Sequence, residues 1–217
     1  FGVNEKAGAV SGLLLKPGTA AALLLLAHGA GAGMRHRFME RAAVKLAEAH
    51  VATLRYQFPY MEKRIKRPDS EAVLTDTVRA ACAAAKKVAG DLPIFAGGKS
   101  MGGRMTSLAA ARQPLDSVRG LILFGFPLHA AGRPGDERGE HLSDIDVPML
   151  FLQGSRDALA DLKLLKPLCS RLTKRAELFV VKGGDHSFHM LKSSGRSDED
   201  ALDEIVRKTA DWIGKNG

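Results

Sequence analysis

The stretch that decides the fold is PIFAGGKSMGG, residues 93–103. It can be read in two incompatible ways. Gly98-Lys99-Ser100 matches the end of a phosphate-binding loop, G-x-x-x-x-G-K-[ST]. Gly98-Lys99-Ser100-Met101-Gly102 matches G-x-S-x-G, a sharp turn that exposes a nucleophilic serine. The phosphate loop needs glycine at position 93, where Pro93 stands, and a flexible run where the chain has strand-like Ile94-Phe95-Ala96-Gly97. An extended segment does not curl its N–H groups around an anion. The serine turn needs a strand before it and a helix after it, and residues 94–96 and 101–112 supply both. Glycines at 98 and 102, with Gly97 and Gly103 beside them, remove Cβ atoms where such a turn is crowded. Ser100 then opens a helix, whose dipole favours developing negative charge.

Strand and helix alternate along the rest of the chain. Apolar runs at 10–15, 23–27, 52–56, 94–96, 120–124, 149–152 and 177–181 read as strands. The later ones are short and unalternating, as expected of parallel strands buried on both faces. Helical patterns fill 35–49, 70–88, 101–112, 159–172 and 198–213. The last places Leu202, Ile205, Thr209 and Trp212 on one face and opens with Ser197-x-x-Asp200, a capping-box pattern. This order predicts an α/β fold in one domain spanning 1–217, with a mostly parallel sheet of about seven strands flanked by helices. The first two strands are separated by KPGTAA alone, too short for a parallel crossover, so an antiparallel hairpin is expected at one edge. Residues 126–147 show no pattern, and 126–146 are a candidate short flap.

A serine hydroxyl needs a base, and the elbow arrangement calls for serine, acid and histidine in that chain order. QGSRDAL after the run at 149–152 puts Asp157 in a loop at a strand's C-terminal end. KGGDHSF after the run at 177–181 does the same for His186. Ser100 would attack, His186 would carry the proton, and Asp157 would orient the imidazole. Asp161 and His189 are the alternatives for acid and base, and Lys99 either attracts an anionic group or lies exposed at the elbow. AHGAGAGM, residues 27–34, fails as a dinucleotide turn, because Met34 replaces the third glycine and Arg55-Tyr56-Gln57 lacks the acid for a ribose. It serves better as half of an oxyanion hole, Ala30 and Met101 each giving an N–H group, with His28 a structural residue beneath the turn. Tyr56, Phe58, Pro59 and Tyr60 either line a pocket or pack a loop.

Composition narrows the partners. The chain has 217 residues, 45% hydrophobic and 26% charged, which is globular and not disordered. Its net charge of +8 is scattered apart from EKRIKRP, and neither zinc spacing nor interleaved aromatics accompany it, so no nucleic-acid partner is expected. No signal peptide and no membrane span are expected. Cys82 and Cys169 both fall in helical apolar stripes, which reads as core and a reducing cytoplasm.

The motifs AHGAGAG, GGKSMGG, LFLQGSRD and VKGGDHSF resemble the α/β-hydrolase superfamily over essentially the whole chain. The nearest resemblance is to its small, lid-less branch around dienelactone hydrolases, which includes hydrolase-like domains of some chromatin-associated proteins. Dienelactone hydrolases proper carry cysteine where this chain has Ser100, so the resemblance does not extend to their substrate. It implies the fold and the triad more than a substrate. The triad's chemistry points to hydrolysis of an ester or thioester with neither metal nor organic cofactor, and the small size and minimal lid point to a small soluble substrate. The competing reading is an interaction scaffold that keeps the fold without turnover.

Overall fold

The computed structural model describes all 217 residues. In chain order the first half contains β1 (Gly2–Asn4), β2 (Gly8–Ala9), β3 (Gly12–Leu15), β4 (Ala22–Ala27), α1 (Arg37–Glu48), β5 (Val51–Tyr56), α2 (Pro59–Glu62) and α3 (Glu71–Ala89). The second half contains β6 (Ile94–Lys99), α4 (Met101–Arg112), β7 (Val118–Phe124), β8 (Met149–Gly154), α5 (Leu162–Arg171), β9 (Ala176–Val181) and α6 (Asp198–Asn216). β1 and β2 form a small antiparallel pair of their own.

The other seven strands make one sheet in the order β3-β5-β4-β6-β7-β8-β9, parallel except for β3. The apolar runs are explained by its two-sided burial. Along β4, Leu23, Leu25 and Ala27 enter one core while Ala22, Leu24 and Leu26 enter the other, since successive side chains leave opposite faces. Helices α3, α4 and α5 cover the first face through Leu74, Val78, Met105 and Leu165. Helices α1 and α6 cover the second through Met39, Leu46, Leu202 and Trp212. Cys82 and Cys169 are buried and unpaired in the first core, where burial pushes their thiols up to about 12 and about 11. No helix is long and apolar enough to cross a membrane.

The edge strand corrects one expectation. β3 is antiparallel, but it forms no hairpin with β4; its residues pair with β5, Leu13 opposite Arg55 and Leu15 opposite Thr53. The crossover through α1 lays β5 directly against β4 in parallel, Ala22 opposite Val51. The side of β4 that a hairpin would use is therefore taken, and β3 is displaced to the outer side of β5.

Two boundaries also differ. Helix α5 begins at Leu162, not at 159, because Asp161 caps it by accepting from the Lys163 N–H at 2.8 Å. The stretch at 126–146 is not structureless: it holds a 3₁₀ helix, Glu137–Asp144, and buries Phe126, Leu128, Leu142 and Ile145. His141 Nε2 lies 2.8 Å from Ser107 Oγ of α4, pinning that helix against the fold.

Candidate active site

The C-terminal edge of the sheet gathers four turns, those following β4, β6, β8 and β9. At the end of β6 the chain reverses into α4 at Ser100, whose φ of 51° and ψ of −118° lie in a region that costs a non-glycine residue about 1–3 kcal/mol. The conformation is held on both sides, by Ser100 N–H donating to Phe124 O at 2.9 Å and Arg104 N–H donating to Ser100 O at 3.1 Å. The glycines are needed for space. A Cβ on Gly97 would stand 1.9 Å from Ile122 O, and one on Gly98 or Gly102 would stand 2.5 Å from Ala27 O. Helix α4 can thus start against the end of β4 only if these positions carry no side chain.

The structure brings the three expected residues into one line. Ser100 Oγ–H donates to His186 Nε2 at 2.8 Å, and His186 Nδ1–H donates to Asp157 Oδ2 at 2.8 Å. The Asp157 side chain is wholly buried, while His186 keeps 24% of its side chain exposed, enough to meet a substrate. The other carboxylate oxygen of Asp157 accepts from Leu159 N–H at 2.8 Å. The alternatives are elsewhere. Asp161 caps α5, and His189 pairs with Asp198 at 3.0 Å, each raising or lowering the other's pKa as ion partners do.

The turn after β4 lies against the elbow, so that a Cβ on Gly29 would be 3.7 Å from Ser100 Cβ. Its N–H groups are mostly committed: Gly31 donates to Tyr60 Oη at 3.0 Å, Ala32 to Gly29 O at 3.2 Å and Met34 to Gln57 Oε1 at 2.8 Å. Ala30 N–H has no acceptor within the protein. Met101 N–H opens α4, where the first amides of a helix have no intrahelical acceptor. His28 is fully buried beneath this turn, donating from Nδ1 to Gly29 O at 2.7 Å and accepting at Nε2 from Phe58 N–H at 3.1 Å. Burial drives its pKa down to about 4, so it is a neutral structural histidine, as expected. Tyr56, Phe58, Pro59 and Tyr60 are all buried in loop packing, although Tyr60 also fixes the turn through Gly31.

Two residues of the site were not assigned these roles from the sequence. Gln153, fully buried at the end of β8, donates from Nε2 to Asp157 Oδ2 and accepts from Phe126 N–H at 3.0 Å. A glutamine inside an apolar strand is the one sequence signal for it. Lys99 is neither exposed nor aimed at the cleft: its Nζ donates to the main-chain oxygen of His186 at 2.5 Å. Beside the histidine loop a cleft of about 500 Å³ opens, floored by Phe38, Phe188, Leu202 and Ile205 and rimmed by His36 and Arg37.

Comparison with known proteins bears on the fold and the family. The family model described as an alpha/beta hydrolase domain matches residues 20–214. A dienelactone hydrolase from Anabaena variabilis superposes with a TM-score of 0.73 at 21% identity, covering 95% of this chain and 92% of that one. Est1E from Butyrivibrio proteoclasticus, with ferulic acid bound, gives 0.76 at 17% identity, covering 95% of each chain. A serine hydrolase without a lid from Xanthomonas campestris gives 0.69 at 23% identity, covering 93% of this chain and 90% of that one. The strand order, the strained serine turn and the family match together lead to one conclusion: the chain belongs to the alpha/beta hydrolase domain family.

Proposed function

We propose that the protein is a serine hydrolase that cleaves an ester or thioester of a small soluble molecule through an acyl-enzyme. The observation that carries this reading is the unbroken line Ser100–His186–Asp157, with both hydrogen bonds at 2.8 Å, at a turn strained for the serine's sake. In the first half-reaction Ser100 Oγ attacks the substrate carbonyl carbon as its proton passes to His186 Nε2. The resulting oxyanion is received by the N–H groups of Ala30 and Met101. Removing one such donor typically costs about 10²–10³ in rate. Asp157 stabilises the imidazolium, and Gln153 keeps the carboxylate facing it. Collapse expels the alkoxide or thiolate, which takes the proton from His186, and leaves the acyl group as an ester on Ser100. Water then repeats the sequence, giving its proton to His186 and its oxygen to the acyl carbon.

The absence of an inserted cap favours small, water-soluble acyl compounds, and the net charge of +8 favours anionic ones. The two free, buried cysteines fit a reducing compartment such as the cytoplasm. The test is labelling with a fluorophosphonate, which phosphonylates activated serines, followed by intact mass. One adduct per wild-type chain and none on Ser100→Ala is the expected result. A wild type that takes no adduct overturns the reading in favour of a scaffold.

A further inference from the structure

No step above uses Lys99, the residue before the nucleophile, yet its environment is not that of a solvated lysine. Its bond to His186 O at 2.5 Å is its one hydrogen bond, and no carboxylate forms an ion pair with it. Aromatic rings enclose it instead: Nζ lies 5.3 Å from the centroid of Phe188 and 6.0 Å from that of Phe38, and those two rings stack on each other. Its space is reserved by Gly125, where φ is 63° and a Cβ would stand 2.8 Å from Nζ and 3.1 Å from His186 O. The charged groups facing it are Asp157 from the turn after β8 and Asp185 from the turn after β9. Burial nevertheless outweighs both carboxylates and drives the ammonium down to about 8.

An apolar side chain of similar length would fill this space without desolvating a charge. The ammonium therefore weakens the fold at neutral pH, and its return has to lie in what it holds. The histidine loop is braced internally by Asp185, whose Oδ1 accepts from the N–H groups of Ser187 and His189 at 2.7 and 2.9 Å. It is braced outward by Asp198, which accepts from Met190 N–H at 2.8 Å, and by Arg156 N–H, which donates to Gly184 O at 2.9 Å. None of these reaches the main chain of His186. Lys99 does.

We propose that Lys99 is a positioning residue: its ammonium ties the backbone of His186 to the strand end that carries Ser100, so that one turn sets both the nucleophile and the height of its base. The inference rests on the reading of Ser100 and His186 as catalytic partners.

The experiment compares wild type with Lys99→Met by three measurements. Hydrogen exchange at the amides of 184–190 should quicken at least ~3-fold in the variant, because local opening becomes easier. Fluorophosphonate labelling should slow by about 10–100-fold, the cost of an ångström-scale misplacement of a catalytic group. The melting temperature should not fall, since the buried charge is gone. Should Lys99→Met fail to fold, Lys99→Gln carries the exchange and labelling predictions, because its amide is too short to reach His186 O. Its melting temperature is not part of the test, since an unpaired buried amide lowers it for a separate reason. Unchanged exchange and labelling would overturn the proposal, and so would a melting temperature that falls in step with labelling. A wild type that resists labelling while the variant's loop exchanges faster would sink the hydrolase reading and still support the tie.

Discussion

At the scale of single residues, Asp157 Oδ2 takes two hydrogen bonds, one from His186 Nδ1 and one from Gln153 Nε2, so two neighbours share control of one carboxylate oxygen. Gln153→Glu tests that arrangement with almost no change of shape. One oxygen of the new side chain would still accept from Phe126 N–H, and the other would have to carry a proton to keep donating to Asp157. At low pH it can. As pH rises the new carboxyl ionises against Asp157, and the two like charges share a buried site that penalises both. The variant's kcat/KM should therefore gain a falling limb on the alkaline side that the wild type lacks, measured from about pH 5 to 9. Superimposable profiles would remove Gln153 from the machinery. The sequence made Ser100 and His186 legible, because each sits in a motif with a required strand before it. Gln153 and Lys99 were not legible in these roles, since their partners lie across the fold and no local spacing announces them.

At the scale of elements, two histidines join turns and helices, and burial favours the neutral form of each. His28 joins the turn after β4 to Phe58, and its Nε2 can accept that N–H only without a proton. His141 joins the 3₁₀ helix Glu137–Asp144 to α4, and burial together with Arg104 pulls it down to about 4. Both folded values lie below the ordinary 6.5, so the unfolded chain binds protons first. Their contribution is whole above pH 6.5 and is lost as pH falls from there to about 4. The fully buried His28 accounts for about 3 kcal/mol of that loss, and the half-exposed His141 for less. Urea unfolding at steps between these limits should show the decline, and His141→Gln should flatten it in part. Stability that stays level across the interval would contradict the buried neutral assignment. The element boundaries obeyed similar local chemistry: Asp161 stops α5 from reaching back to 159 because Leu159 is held by Asp157 instead.

At the scale of the molecule, the sheet was legible in its strands and illegible in part of its order. Two-sided burial writes itself into a strand as an unbroken apolar run, as in Ala22–Ala27 and residues 149–152 of β8. Which strand lies beside which is decided by crossovers, and a six-residue link between β3 and β4 says nothing of the α1 crossover that fills the space between them. The same topology makes the site: β4, β6, β8 and β9 end on one edge, and their turns bring together Ser100, Asp157, His186 and the turn of Ala30, the residues to which the proposed mechanism gives its roles. The most direct test of that account is to trap the acyl group. The protein would be mixed with excess p-nitrophenyl acetate, quenched in acid before turnover is complete, and the acetyl located by peptide mass. The account predicts one acetyl on Ser100 in the wild type, absent from Ser100→Ala. Acetyl scattered over surface lysines, with Ser100 unmodified and the two proteins alike, would contradict it.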